Sequence, residues 1–464
     1  MGYKKLTFAA SAPLMNAVSV GIASTYSSTA TEGMKSSYLH PNDDQVSWIG
    51  SLLPLSAILG GIVAGYFSDK IGRKGVMMAL SVLQLAGWLL ITYATSLEYV
   101  YAGRALTGIC CGLICVVTPM YIVEIAIPKL RGNLGCRFQL YICGGVILMA
   151  LLGKFFSWRW VAAASAIFSV FAPFTMLFLP ESPQWLFMKG KQEEAVMAMR
   201  FFYGKSSEET AILFHEGQTS DSKQKFTMKD IIKPAIYKPA LLAIALLFFQ
   251  QFSGSNAILY YTVSIFKESS SSIDPTNANA FVALFMFLFT LLSTFLMDKL
   301  GRKILLFISV LVMCIVLNIF STFLYLSRNN PALKSSYGWL PLLCLIVYIS
   351  AFSLGMGPIP WLMMSEMSPN YARGVICGLG TACSWTFVFI ITKTFIYLEK
   401  SIQAYGAYWL YSSFCFLCCV FTIFLLPETK GKTNEEIQLG FAGPETPMRR
   451  LEEDRDVSIN NSES

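Results

Sequence analysis

Charge is scarce in this chain. Of its 464 residues only 14% are Asp, Glu, Lys or Arg, where a soluble domain carries roughly 25%, so a surface facing water on all sides cannot be covered. Histidine is nearly missing as well. His40 and His215 are the two, which leaves little scope for histidine-based acid–base catalysis. The twelve cysteines fall in or at the ends of apolar stretches. Cys415, Cys418 and Cys419 have the spacing of a CxxC motif, but both histidines lie far off in sequence, so small apolar packing is expected of them rather than metal or redox chemistry. No metal site and no cofactor are expected, and the chain does not read as an enzyme.

What the chain has is apolar length: 55% apolar residues and a mean hydropathy of +0.55. Windows free of charge run over 6–31, 45–68, 75–97, 105–123, 138–153 and 160–180, and, after a gap, over 239–266, 275–297, 304–327, 335–365, 374–392 and 401–427. All but 138–153 have at least 19 residues, against the roughly 20 a helix needs to cross a bilayer. The exception extends back past Arg137, whose long side chain can reach a polar layer. Barrel strands need only about ten residues, so the windows predict twelve transmembrane helices. The first window follows "MGYKK" but is long, holds Pro13 and Asn16 and precedes eleven more, and so reads as the first helix rather than a signal peptide.

An even number of spans puts both termini on one side of the bilayer, and Lys and Arg decide which. The even-numbered connections hold Lys70, Arg73, Lys74, Lys129, Arg131, Lys299, Arg302, Lys303 and Arg373, and the middle segment 181–238 is basic too. The odd connections among the first three hold only Lys35, Lys154 and Arg159. Termini and middle segment are therefore expected in the cytoplasm. The net charge of +7 follows from this bias and implies no nucleic-acid partner.

The chain also repeats itself. "DKIGRK" at Asp69 and "DKLGRK" at Asp298 each follow the second helix of a six-helix half. "EIAIPKLRG" at Glu124 and "EMSPNYARG" at Glu366 follow the fourth, and "PESP" at Pro180 and "PETK" at Pro427 close the sixth. Positive-inside loops alone would explain the cations but not the matching acids and spacing, so duplication is the reading. The expected architecture is an N-terminal half over 1–180, a cytoplasmic helical segment over 181–238, a C-terminal half over 239–427 and a mostly disordered tail over 428–464. Parallel repeats of this kind place a substrate near the midplane between the halves. Asp69, Arg73, Glu124, Arg131 and Glu181 on one rim and Asp298, Arg302, Glu366, Arg373 and Glu428 on the other are candidates for a cytoplasmic latch, with acid–base pairs crossing between halves. Arg104, the one cation without a repeat partner, is grouped with them. Gly61 and Gly65, Gly108 and Gly112, and Gly374 and Gly378 give small faces for close helix packing.

"GYFSDKIGRK", "PESPQWL", "QQFSGSNAILYY", "GPIPWLMMSEM" and "PETKGKTNEEI" together resemble the sugar porter family of the major facilitator superfamily, most closely its insect-type facilitated trehalose and hexose transporters. The resemblance runs from residue 6 to about 440. It implies a twelve-helix alternating-access carrier in the plasma membrane, with a small-molecule sugar as substrate. It leaves the oligomeric state open.

A sugar site needs neutral donors and acceptors and aromatic platforms. In the seventh window Gln250, Ser253, Asn256, Tyr260 and Tyr261 share one helical arc, and Gly254 between serines predicts a break that turns Gln251 inward. Polar glue between helices is the competing reading for any one of them. By resemblance, Gln250, Gln251 and Asn256 match the family's sugar-contacting amides, and Gln139 its fifth-helix glutamine. Trp361 and Trp385 match cavity tryptophans, and Phe352 a nearby aromatic. Trp361 also suits a membrane-interface anchor. "GMGPIPW" predicts a broken, bendable tenth helix. The chain departs from the family's glucose carriers at Met286, Ser353, Ser384 and Gln184, which puts glucose itself in doubt. In the first helix Ala23 stands where proton-coupled members carry an aspartate, which implies facilitated uniport. A non-transporting sugar sensor and a carrier of another neutral polyol are the alternatives.

Overall fold

The computed structural model describes residues 9–126, 128–203, 232–268, 274–369, 372–432 and 434–442. Among them, ten helices are long and apolar enough to cross a bilayer. In chain order the elements are α1 Ser11–Lys35, α2 Asp43–Ile71, α3 Arg73–Thr92, α4 Leu97–Ile125, α5 Pro128–Phe155 and α6 Trp158–Met176. Two short helices follow, α7 Pro183–Met188 and α8 Gln192–Tyr203. The second half holds α9 Pro234–Phe252, α10 Ser255–Glu268, α11 Pro275–Leu300, α12 Arg302–Asn329, α13 Pro331–Ser336, α14 Leu340–Ala351, α15 Ile359–Met367 and α16 Arg373–Phe424, then α17 Asn434–Ala442.

Twelve spans result because two of the twelve windows are hidden in this inventory. Helix α1 is long enough to cross but is diluted by eight serines and threonines. Helix α16 has 52 residues, about 78 Å of helix for a core about 30 Å thick. It breaks at Gln403, where φ is 65° and ψ 161°, and the chain turns back. Lys303 Nζ donates to Ile423 O, Cys314 Sγ meets Ser412 O and Tyr325 packs on Tyr405, the order of an antiparallel neighbour. The seventh span is α9 with α10, and the tenth is α14 with α15.

The repeated hexapeptide has a local structural reason. Gly72 and Gly301 N-cap α3 and α12 at φ 87° and 90°, a left-handed conformation that favours glycine. A Cβ at Gly72 would stand 2.2 Å from Glu181 Oε2, and one at Gly301 2.9 Å from Glu428 Oε2. These two acids, from the "PES" and "PET" repeats, cap the helices that follow the glycines. Glu181 accepts from the backbone N–H of Lys74, and Glu428 from those of Arg302 and Lys303. An acid at a helix N-terminus is favoured both by the unsatisfied N–H groups and by the helix dipole. Partial burial pushes the Glu428 carboxyl up, but backbone donors from Lys430, Arg302, Lys303 and Thr429 outweigh it and hold it below its usual value.

Two apolar cores form, one in each half. The N-terminal core takes in Trp385 and Val388 of α16, and the C-terminal core takes in Val46 of α2 with Cys143, Val146 and Ala150 of α5. The halves therefore grip each other along α2 against α16 and α5 against α11. All four borrowed N-half residues lie in the part of their helix away from the end that carries residues 9 and 432. Nearer that end, a Cβ on Gly61 would still reach Thr381 Cγ2 of α16 at 3.9 Å. A Cβ on Gly65, Gly374 or Gly378 would meet nothing within 4 Å, so these three do not make the close contact expected of them. Gly108 and Gly112 do, against Leu53, Ser56 and Ala57 of α2. In the middle segment, α8 lies within the stretch expected to be helical, and its last residue, Tyr203, donates from Oη to Ile125 O at 2.8 Å. Residues 204–231 and 443–464 lie outside the described residues.

Candidate functional site

Gly254 breaks the seventh span as expected, at φ 86°; a Cβ there would lie 2.4 Å from the Tyr411 ring. The break bunches three amides. Asn256 Nδ2 donates to Gln251 Oε1. Gln251 Nε2 donates to Gln250 Oε1 at 3.1 Å and to Ser384 Oγ at 3.2 Å. Gln250 Nε2 donates to the carbonyls of Met356 at 2.7 Å and Gly357 at 2.8 Å. The amides thus form a directed relay from Asn256 through the seventh span to the tenth and eleventh. Gln250 and Gln251 are each 3% exposed, and an amide nitrogen has two N–H donors, so both nitrogens are fully used. Asn256, at the head of the relay, is half-buried.

The other expected site residues surround this relay. Of the departures from the family's glucose carriers, Ser384 accepts from Gln251, while Ser353 Oγ turns back to Ile349 O at 2.7 Å. The next residue after Ser384, Trp385, is buried in the N-terminal core, and its Nε1–H has no protein partner among the described residues. Gln139 is half-buried and donates weakly to Cys143 Sγ at 3.8 Å, which in turn meets Thr290 Oγ1 of α11 at 3.3 Å. Phe352 is buried in a π-helical turn, Phe352–Met356, and Trp361 is half-buried against the C-terminal core. Tyr260 and Tyr261 act nearer the far end. Tyr260 is buried in the C-terminal core, and Tyr261 Oη donates to Thr392 O at 3.1 Å while its ring stacks on Phe395.

The charged rim carries ion pairs in both halves. Arg73 pairs with Asp69 at 3.1 Å and with Glu124 at 2.8 Å, and Arg302 pairs with Glu366 at 3.1 Å. Each of these pairs closes within one half, because its motifs sit on neighbouring helices of that half. Arg373 begins α16 and is half-buried; the side chains of Arg131 and Asp298 lie outside the described residues. Arg104 does not belong to this rim. It is fully buried in the second turn of α4, about 30 Å of helix from Glu124. There its Nε donates to Ile49 O at 3.0 Å and its Nη1 to Ala23 O at 2.6 Å.

The charges that do join the halves are ones the sequence reading left aside, at the far end. Lys393 of α16 reaches Asp44 of α2 at 2.8 Å and lies 4.1 Å from the Trp48 ring centre. Lys400 pairs with Asp43, and Tyr397 donates to Asp44. Ser47 Oγ donates to Lys393 O at 2.8 Å. The motif search could not find them, since Asp44 and Lys393 are 349 residues apart and neither lies in a repeat.

Comparison with known proteins identifies the lineage. The family described as "Sugar (and other) transporter" matches residues 1–441. The chain belongs to this family. A facilitated trehalose transporter Tret1 of Apis mellifera ligustica is 36% identical over 96% of this chain and 89% of its own. Tret1 of Polypedilum vanderplanki is 36% identical over 97% and 91%. Among solved structures, the proton:xylose symporter XylE bound to 6-bromo-6-deoxy-D-glucose superposes with a TM-score of 0.79 at 24% identity, covering 95% of this chain and 100% of that one. An inward-open XylE from E. coli gives 0.77 at 23% identity, over 94% and 100%. These structures share the twelve-helix major facilitator fold. The chain is an integral, multi-pass membrane protein of a transporter family.

Proposed function

We propose that this protein carries a sugar, trehalose or a hexose, down its gradient by alternating access, in the plasma membrane with both termini in the cytoplasm. The trehalose transporters to which it is similar support the substrate class. The observation that carries the reading is the half-buried head of the amide relay, Asn256, together with the unspent indole N–H of Trp385. An amide and an indole donor beside aromatic rings suit a ligand of hydroxyls and apolar ring faces. Gln139, Gln250, Gln251, Asn256, Trp361 and Trp385 line the sugar site, with Phe352 behind them. Tyr260 and Tyr261 close the far end above it. The halves are 1–180 and 239–427, with 181–238 as the helical segment between them and 428–464 as a tail. Asp69, Arg73, Glu124, Arg131 and Glu181, and Asp298, Arg302, Glu366, Arg373 and Glu428, brace the cytoplasmic rim of their own halves and form the gate as two rigid lips. The far end is closed by α2 against α16, and nearer the terminal end a Cβ on Gly65, Gly374 or Gly378 would meet nothing within 4 Å, which supports a described state that faces the cytoplasm. Uptake of a panel of labelled sugars into liposomes containing the purified protein is the test. Uptake of trehalose or a hexose that saturates, with no uptake of an unrelated polyol, is expected. Binding of sugar with no uptake of any would instead make the protein a sensor.

A further inference from the structure

Helices α5 and α11 meet across the seam between the halves, and beside Gln139 they do so through polar atoms. Cys143 of α5 packs into the C-terminal core, and its Sγ lies 3.3 Å from Thr290 Oγ1 of α11. Both residues are buried, so their protons must find partners within the protein. A threonine hydroxyl has one proton, and that of Thr290 goes to Met286 O at 2.7 Å, one turn back in its own helix. Thr290 Oγ1 is then left to accept from Cys143, so the thiol proton points across the seam. A thiol also has a single proton. Once that is spent on Thr290, the sulfur can only accept. The group 3.8 Å away on its other side is the side-chain amide of Gln139, one turn back on α5. Gln139 must therefore turn an N–H to the sulfur and its carbonyl Oε1 the other way. The protons thus fix the orientation of an amide whose O and N are otherwise interchangeable.

We propose that Cys143 and Thr290 are positioning residues for the sugar. They hold Gln139 with its amide nitrogen on the protein and its carbonyl oxygen toward the substrate, so that Gln139 meets a sugar hydroxyl that donates. The chain of donors runs from Gln139 through Cys143 and Thr290 to Met286 O, and so crosses from the N-terminal half to the C-terminal half. The orientation of Gln139 therefore holds only while α5 and α11 keep their register, and a movement of one half past the other releases the amide. Sulfur is a weak donor and a weak acceptor, which suits a bond that has to let go. The inference rests on the sugar-carrier reading for its consequence in transport, but not for the orientation of the amide itself.

The test compares apolar and hydroxyl replacements at the two positions. Thr290→Val removes the acceptor of the thiol proton and Cys143→Val removes the sulfur. Each is expected to raise the KM for sugar about fivefold, with a smaller change in maximal rate. Thr290→Ser and Cys143→Ser keep one proton to give and lone pairs to receive, and should stay within about twofold of the parent. Cys143→Val combined with Thr290→Val should be no worse than Cys143→Val alone, since the two break one chain. Equal losses in the serine and valine variants, or valine losses that multiply, would mean that the pair only packs, and overturn the assignment. Should Cys143→Val fail to reach the membrane, the two Thr290 variants carry the comparison. Replacing sugar hydroxyls one at a time with fluorine, which accepts but cannot donate, should find a position whose loss of affinity disappears in Gln139→Leu. If no position behaves so, the carbonyl is not what the sugar meets. The S–H stretch of Cys143, isolated as the infrared difference between the parent and Cys143→Ser, reads the bond without transport. It should lie below the frequency of a free thiol, shift in Thr290→Val and hold in Thr290→Ser; a free-thiol frequency, or no shift in Thr290→Val, would equally sink the proposal. If the unmodified protein moves no sugar, the carrier reading fails while the infrared measurement still decides this one.

Discussion

Asn256 and its two neighbouring glutamines are chemically alike, yet their surroundings give them different work. Both N–H groups of Gln251 are spent on Gln250 and Ser384, and both of Gln250 on backbone carbonyls. Asn256 spends one on Gln251 and is the only one of the three that is half-buried. Asn256→Ala should therefore raise the KM for sugar at least tenfold with a smaller change in maximal rate, since stranding a polar partner costs about 1–3 kcal/mol and about 1.4 kcal/mol is tenfold. Concentration-dependent uptake measures this, and an unchanged KM would make Asn256 packing glue. The sequence shows the cluster and the break at Gly254, because polar residues in an apolar window and a glycine between serines are local signals. It does not show which amide keeps a donor free, because that depends on carbonyls a hundred residues away. Arg104 fails for a related reason. A cation at the start of a helix looks like a rim charge, and only the direction of α4 places it at the far end, beneath the carbonyls of Ala23 and Ile49.

Helix against helix, the seam between α2 and α16 is the element that must open and close. Asp43, Asp44 and Ser47 hold Lys393, Tyr397 and Lys400 across it, with Trp48 under the Lys393 ammonium. Exposed ion pairs are individually weak, which suits contacts that must release in each cycle. Lys393→Gln or Asp44→Asn should loosen the far end. A cysteine placed at Ser47, which is fully buried here, should then react faster with a membrane-impermeant maleimide added outside, by a few fold over the same cysteine in the otherwise unmodified chain. Raising salt to about 1 M, where screening acts within about 3 Å, should speed labelling of the parent but change the variants less. Labelling rates that are equal in all of these would mean that apolar packing alone closes this end. Sequence repeats point instead to the opposite rim, because duplication preserves motifs that brace each half internally. Contacts between the halves need complementary residues rather than identical ones, and leave no repeat to find.

At the scale of the whole molecule, each half has its own core and lends a few residues to the other, so the halves can rock while the charged brackets at the rim stay intact. What drives that motion is set by whether any group inside the membrane changes its proton with the substrate. A proton-coupled carrier needs such a group, typically an acid or a histidine. Here the spans hold none between their ends. Glu124 and Glu366 lie at the rim and are paired with Arg73 and Arg302. At Arg104, the buried cation of the far end, the described partners are two backbone carbonyls, one of them that of Ala23, and no carboxylate. A guanidinium stays charged throughout the physiological range and so cannot carry a proton in and out. Sugar movement should therefore be uncoupled: adding sugar to unbuffered proteoliposomes should leave external pH unchanged, and uptake should stop at equal concentrations inside and out even under an imposed proton gradient. Alkalinisation in step with uptake, or accumulation above equilibrium that collapses with a protonophore, would require an acid inside the membrane that these twelve spans do not contain.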